Sequence, residues 1–436
     1  MEIREKIISI LEYLLAICII INANTIWNFM NLNVSQNLWI YTLIVLWVLV
    51  ILSIKEICKN KKRLFILGIV LISVTLYNSI FIMVNGMDKG DFIIGFLGLL
   101  LGVILYTSGR INKKKRYSLI LKVSNVMVIL ALISLYYYVK VIILKDMKPT
   151  SEIVFTWGGA REIPNYNNLY YITQYIDIGN HIFARNTGIF TEGPMYAFPL
   201  SIALIAELFF RKTKGWLNKV IIIVSTVILV VTIMTTLSTT AIGIMAAAIP
   251  LRILSFIVSS IRRKSKIKIA IGIVLLIVFA TVGIMVGGFF LKNKVKNSAD
   301  NQYGSYSVRK DDFKVGYETW KKNKIIGCGF NQYQYVQANM NFIGRGNDIG
   351  GSSGLMKVLP EGGLMLFMVY LIPFILAMLY GIKKRNLNVI FAYILIYIIF
   401  AVTAIQYRFL MIYFLGLGFS YSLNLLDKRK KKLKEE

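Results

Sequence analysis

The feature that most limits this chain is a series of long apolar blocks with almost no charge, such as "LWIYTLIVLWVLVILSI" from Leu38 and "IAIGIVLLIVFATVGIMVGGFF" from Ile269. The hydrophobic residues are contiguous rather than spaced on one helix face. A helix of roughly 20 such residues crosses a hydrocarbon core, where every backbone polar group must be satisfied within the segment. With 57% hydrophobic residues over 436 positions and a mean hydropathy of +0.65, a water-soluble fold could not hide this surface. The expectation is an all-α polytopic membrane protein. The short alternating segments of a transmembrane β-barrel are not seen.

Spans are expected near 7–23, 38–54, 64–84, 91–108, 118–144, 194–210, 217–237, 240–260, 268–290, 354–380, 388–405 and 409–425. That is about twelve transmembrane helices by the length criterion. The organisation divides as 1–144 (helices one to five), 145–193 (a long loop), 194–290 (helices six to nine), 291–353 (a second long loop), 354–427 (helices ten to twelve) and 428–436, a basic tail. The first apolar block, 7–21, is not followed by a small-residue cleavage site, so it reads as a retained helix rather than a signal peptide.

The net charge of +29 raises nucleic acid as a partner, but the cations sit in short clusters between apolar blocks. "KEICKNKKR" (55–63), "RINKKKR" (110–116), "RKTKGWLNK" (211–219), "RRKSKIK" (262–268), "KKR" (383–385) and "KRKKKLK" (428–434) fall on alternate turns. They would all face the cytoplasm by the positive-inside rule, with both termini cytoplasmic and the two long loops extracytoplasmic. The cationic tail fits a solvated segment near anionic lipid. Nucleic acid is excluded as the partner. Cys18, Cys58 and Cys328 are too scattered for a disulfide framework or metal site, and His181 is the only histidine. No metal and no cofactor is expected.

Long connections are uncommon unless they function or are disordered. These two are rich in aromatics, including Trp157, Tyr166, Tyr170 and Tyr175, then Tyr303, Trp320, Tyr333 and Tyr335. Four constellations stand in or beside them. In "RNTGIFTEGPMYAFPL" (185–200), Pro194 and Glu192 suit a helix start, where a proline lacks nothing and a carboxylate meets the dipole. Arg185 beside that helix start forms an anion site, or else an ion pair with Glu192. In "SVRKDDFKVGYETWKKNKIIGCGFNQYQYV" (307–336), Arg309 lies at helical spacing from Phe313, Gly316 and Trp320. The glycines of "GCGFNQY" permit close backbone approach to a ligand or simply end a helix. In "NDIGGSSGLMKVLPEGGLMLFMVYLIPF" (347–374), a helix is broken around Pro360–Gly363. Glu361 is either a functional carboxylate at membrane depth or, where the helix begins only after Gly363, an interfacial one, and Lys357 is its candidate partner by i,i+4 spacing. "LSTTAIGIMAAA" (237–248) suits close helix packing more than a substrate role. Arg408, in "AIQYRFL", either joins an anion site or anchors at headgroups.

Taken in order, these stretches resemble the O-antigen polymerase and ligase family, the Wzy-type oligosaccharide repeat-unit polymerases. "RNTGIFTEGPMYA" resembles the family's R-x-x-G-x-F-x-E-x-x-x-x-A segment, and "LSTTAIGIM" its small-residue helix. "RKDDFKVGYETWKKNKIIGCGFNQY" and "GSSGLMKVLPEGGL" resemble the segments that follow, over roughly residues 150–380. The resemblance implies a GT-C-like membrane glycosyltransferase that needs no metal. Its donor would be a polyprenyl-diphosphate-linked oligosaccharide in the membrane lipid, with a chain-length regulator and a flippase as partners. Arg185 and Arg309, with Arg345 and Arg408 as further candidates, receive the diphosphate role. Glu192, then Glu361, receive the role of base. Trp157, Tyr196, Trp320 and Tyr333 are expected to pack against sugar faces. Ligases of this family carry a histidine ahead of the glutamate–glycine stretch. Here "NDIGGSSG" has none, which favours the polymerase over the ligase. A glycolipid transporter or flippase is the rival from another class.

Overall fold

The computed structural model describes residues 2–30, 32–85, 89–111, 115–155, 161–167, 171–178, 181–212, 215–300, 305–340 and 351–425. The N-terminal helices are α1 (Glu2–Ile21), α2 (Leu32–Cys58), α3 (Lys61–Val84), α4 (Asp91–Ile111) and α5 (Ser118–Ile143). Strands β1 (Ser151–Phe155), β2 (Arg161–Tyr166), β3 (Tyr171–Ile178) and β4 (His181–Asn186) follow. Then come α6 (Gly193–Phe210), α7 (Gly215–Thr235), α8 (Thr239–Arg262), α9 (Lys266–Asp300), α10 (Ser305–Lys322), α11 (Leu355–Lys383), α12 (Leu387–Val402) and α13 (Phe409–Leu425).

Nine helices among the described residues are long and apolar enough to cross a membrane. The all-α polytopic membrane architecture is therefore present. Four further helices fall short of that measure, the polar α10 among them. α12 and α13 are shorter, and α1 carries Glu2, Arg4, Glu5, Lys6 and Glu12 along its length. α6 is sheathed by other helices on nearly every side, whereas α9 leaves most of its apolar surface uncovered and packs chiefly on α8.

The first long loop is folded, which the sequence reading did not anticipate. Its strands form an antiparallel sheet in the order β1-β2-β3-β4. Register is fixed by pairs such as Ile153↔Ile163 and Gln174↔Arg185. Ile153, Ile163 and Ile172 bury against Ile26, and Tyr166 and Tyr171 against Tyr137 and Val141, so the sheet is seated on the helices by its apolar side chains. In the second loop α9 continues as helix to Asp300, past the expected end near 290, and α10 occupies Ser305–Lys322, where the spacing around Arg309 pointed to a helix.

The bundle has two chemically distinct ends. The basic turns gather at one: Arg262 donates to the Arg385 carbonyl at 2.9 Å, and the Arg116 guanidinium lies 4.6 Å from the Tyr421 ring centre. The sheet lies at the other. There Thr25 bridges Phe190, Arg408 donates to Asn24, and the Asn85 amide donates to the Ile326 carbonyl at 2.7 Å.

At this sheet end, α11 breaks where the sequence suggested, at Gly363 (φ 59°, ψ −158°). A Cβ there would meet the Ile325 carbonyl oxygen at 2.3 Å. Both the torsion and the contact require glycine. We expect Gly363→Ala to cost roughly 3 kcal/mol from strain of this kind. Gly243→Ala in α8, where a Cβ meets nothing within 4 Å, should be neutral or slightly stabilising. Thermal unfolding of the two variants in detergent checks this; equal melting temperatures would contradict the account.

Candidate functional site

The site is built on the turn between α7 and α8. A helix C-terminus leaves its last carbonyls without intrahelical donors. Here Leu237 adopts φ 50° and turns the chain into α8. Arg185, from β4, fills the vacancy: its Nε donates to the Thr236 carbonyl at 3.0 Å and an Nη to the Leu237 carbonyl at 3.2 Å. Arg309, from α10, reaches the same turn and donates to Thr240 Oγ1 at 3.4 Å. The segment read as a packing helix thus starts as a cradle for both guanidinium groups. Gly193 allows the approach, since a Cβ there would meet the Thr236 carbonyl oxygen at 2.9 Å and Arg185 Nε at 3.1 Å.

The α6 start next to Arg185 is capped from an unexpected direction. The Gly193 N–H is taken by the Gln174 side chain at 3.1 Å, and Glu192, although it stands at the N-cap, makes no side-chain cap bond. Glu192 is half-buried and interacts electrostatically with Arg185. Burial, with the Arg309 charge nearby, pulls the Arg185 guanidinium down to about 10 despite the opposing pull of Glu192. Arg309 is lowered as well, chiefly by burial. Both remain protonated at neutral pH. Two desolvated cations this close make a site that gains from an added anion.

A chain of alternating charges continues from Arg309. It interacts with Asp312, which is buried and accepts from the Ser352 N–H at 2.8 Å. Lys357 interacts with Asp312, Glu361 and Arg408 in turn. Its ammonium lies 4.4 Å from the Tyr333 ring centre, so the expected i,i+4 partner of Glu361 is shared with an aromatic face. Glu361 is 2% exposed, and its carboxylate accepts from Tyr407 and from the Asn331 N–H.

The backbone around Glu361 is tied to the glycine turn. The Cys328 N–H donates to the Pro360 carbonyl at 2.8 Å and the Gly329 N–H to the Glu361 carbonyl at 3.0 Å. A Cβ on Gly327 would lie 2.5 Å from the Gly362 nitrogen. These glycines thus let one stretch of backbone pack on another, a role different from either of the two expected for them.

Two spaces border the site. A cavity of about 320 Å³ is lined by Arg408, Asp91, Asn331, Tyr407, Trp39 and Phe198 among others. A cleft of about 30 Å³, room for a single water, lies beside Arg309, Ser238, Thr240 and Pro194. Phe198 is the wall between them. Arg408 therefore opens into a different space from Arg309.

The other expected residues divide. Arg345 and Trp157 lie outside the described residues. Tyr196 is fully buried, stacks on Phe190 at 4.9 Å, and its hydroxyl pairs with Ser134 at 2.8 Å. It belongs to the core and offers no face to a sugar, because the helix spacing that set it near the loop also turned it inward. Trp320 is half-buried, donates to the Lys324 carbonyl at 3.0 Å and lies beside Tyr317. His181 is exposed on β4 next to Phe183.

Residues 224–371 match the family described as Wzy_C: O-Antigen ligase. That stretch is similar to the family's conserved segment. The match spans about a third of the chain and supports the O-antigen polymerase/ligase family, and with it a multi-pass membrane enzyme. No curated protein matches the chain. The Wzy_C segment contains the α7–α8 turn, Arg309 and Glu361. Arg185, Glu192, Tyr407 and Arg408 lie outside it and are brought to it by folding.

Sequence reasoning missed Gln174, Asn85, Asp312 and Tyr407. Gln174 needed the β3–β4 register. Asn85 sits at the end of α3 and ties the Ile326 and Glu361 carbonyls to it. Tyr407 had one available signal, its place next to Arg408.

Cys328 offers a chemical readout of how closed this region is. Burial first, and then the Glu361 carboxylate, push its thiol up to about 11. Its thiolate fraction at pH 8 should be roughly a hundredfold below that of an ordinary thiol. Maleimide labelling of the native protein should therefore mark exposed Cys58 quickly and Cys328 only after unfolding. Equal labelling of both in the native state would refute the closed packing.

Proposed function

We propose that this chain is the polymerase that joins lipid-linked oligosaccharide repeat units into a surface polysaccharide, an O-antigen or capsule. The donor is a polyprenyl-diphosphate oligosaccharide and the acceptor a second repeat unit of the same kind. The observation that carries the reading is the meeting of Arg185 and Arg309 on one turn, with Glu192 beside them. The positive-inside distribution supports placing the sheet end outside the cytoplasmic membrane, the basic turns and both termini in the cytoplasm, and reaction at the outer surface. Residues 145–193 and 291–353 are then the extracytoplasmic segments between the three groups of helices, 1–144, 194–290 and 354–427.

In this mechanism an acceptor hydroxyl oxygen attacks the anomeric carbon of the donor. The bond from that carbon to the diphosphate oxygen breaks, and polyprenyl diphosphate departs with the electron pair. Fixed guanidinium groups stabilise the growing negative charge without a metal ion, since they are already desolvated and held by the protein. The cleft beside Arg309 is water-sized, so the diphosphate engages the half-exposed sides of Arg185 and Arg309. Glu192 takes the hydroxyl proton. It is preferred over Glu361, whose carboxylate is enclosed by Tyr407 and Asn331 and which better serves to hold the glycine turn and Lys357 in place. Trp320 and Tyr333, with Trp157, are the aromatic contacts for the glycan. Arg408 and Arg345 remain secondary diphosphate candidates. A flippase delivering the donor and a chain-length regulator would be its partners.

The ligase reading differs in acceptor alone, and the missing loop histidine favours the polymerase. Replacing Arg185 or Arg309 by alanine should lower the rate by roughly 10²–10³. Long glycan chains should then vanish from gels while single-repeat glycolipid accumulates, and lysine should restore little because it cannot bind bidentately. Glu192→Gln should slow transfer by roughly 10²–10⁴. Long chains at normal abundance in both arginine variants would overturn the assignment. Long chains left unattached in a deletion strain would point to the ligase instead.

A further inference from the structure

At the basic end, remote from the arginine pair, a cavity of about 310 Å³ opens between α1, the α4–α5 turn and the end of α6. Among its lining groups is Arg110, whose side chain is 2% exposed. The two Nη atoms are occupied, one donating to Glu5 at 3.1 Å and the other pairing with Glu12 at 3.4 Å. Arg110 Nε is buried and has no partner. Leaving such a donor unsatisfied costs on the order of 1–3 kcal/mol, so the buried guanidinium is incompletely satisfied by its two carboxylates.

The carboxylates already present cannot supply one. Glu12 is taken up by the Tyr106 hydroxyl at 2.7 Å and by Ser118. Burial alone would raise the Glu5 carboxyl, but hydrogen bonds from Lys115 and Arg110 outweigh it and hold it at about 2. It stays an anion already committed to those two cations. Lys122 donates to Ser9 Oγ at 2.9 Å and stands 4.0 Å from the Tyr13 ring centre, and Lys212 is exposed at the rim. Neither pairs with a carboxylate among the described residues. The lining therefore holds four cationic side chains, Arg110, Lys115, Lys122 and Lys212, against two carboxylates, an excess of positive charge. Leu121 and Phe210 give the same cavity an apolar side.

We infer that this cavity is a second anion site, which binds a phosphate-bearing headgroup through its excess of lining cations, Lys122 and Lys212 foremost, with Arg110 behind them. The cavity is larger than a bare phosphate needs, and it lies at the level of the basic turns, where lipid headgroups sit. Its ligand is not the reacting donor diphosphate, because it lies at the opposite end of the bundle from Arg185 and Arg309. The assignment stands whether or not the polymerase reading holds.

The test uses the full chain with Lys122→Ala/Lys212→Ala, which leaves the Arg110–Glu5–Glu12 cluster intact. In phosphatidylcholine nanodiscs, fluorescent phosphatidylglycerol should bind the wild type, and the double variant should lose roughly fivefold in affinity per lysine. In a second arm, inorganic phosphate is titrated against the detergent-purified protein while its melting temperature is followed. A phosphate-induced rise that the variant lacks, without a lipid effect, assigns the site to a soluble phosphate compound. Identical behaviour of wild type and variant toward both probes refutes the site. If the double variant is unstable in phosphatidylcholine alone, Lys212→Ala at its exposed position carries the same comparison, with roughly a fivefold loss expected.

Discussion

A guanidinium removed from water must find fixed acceptors, and the free carbonyls at a helix end are the nearest supply. That need organises the sheet end of this protein. Arg185 leaves a β-strand and Arg309 leaves a helix more than a hundred residues later, yet both terminate on the residues 236–240 that join α7 to α8. The carbonyls that hold Arg185 carry partial negative charge and no formal charge, so the two cations are positioned without being neutralised. Among the described residues, the carboxylates that act on them are Glu192, beside Arg185, and Asp312, beside Arg309. An arrangement of this kind can receive an anion at little reorganisation cost, which is what stabilising a departing diphosphate requires.

The second support is a backbone contact between two glycine-rich stretches. The turn at 327–329 and the broken helix at 360–363 approach closely enough that side chains at Gly327 or Gly363 would collide with the opposing backbone. Their carbonyl and amide groups satisfy one another through the Cys328 and Gly329 N–H groups, and Asn85 closes the knot from α3. This contact carries Glu361 into the interior, where Tyr407 and Asn331 meet its carboxylate. A buried carboxylate is costly unless so enclosed. Its enclosure ties α11 to the loop before α13 and keeps Lys357 between Asp312 and Arg408.

Much of this was readable from residues in order. The apolar blocks announced the helices, and the break at Pro360–Gly363 was visible as a run of helix-disfavouring residues. Arg309 stood on a stretch whose spacing suited the helix now seen at Ser305–Lys322. The four strands were not foreseen, although "YITQYIDI" and "HIFARN" show a partial period of two, because short strands give a weak signal inside a long connection. Without them the pairing of Gln174 with Arg185 was invisible, and with it the true cap of α6. Tyr196 failed for the opposite reason: its aromatic side chain was assigned by nearness in sequence to Arg185, while the helix turned it into the core.

The sequence alone determined that this chain lives in a membrane, because a long uncharged helix has only one favourable solvent and that property is local to each block. It also determined which residue types were available for anion binding. Which arginines share a turn, which glutamate is enclosed and which stays beside a guanidinium were decided by tertiary structure. Those choices depend on where carbonyl ends and glycine backbones from distant segments meet, and no single segment contains both halves of such a contact.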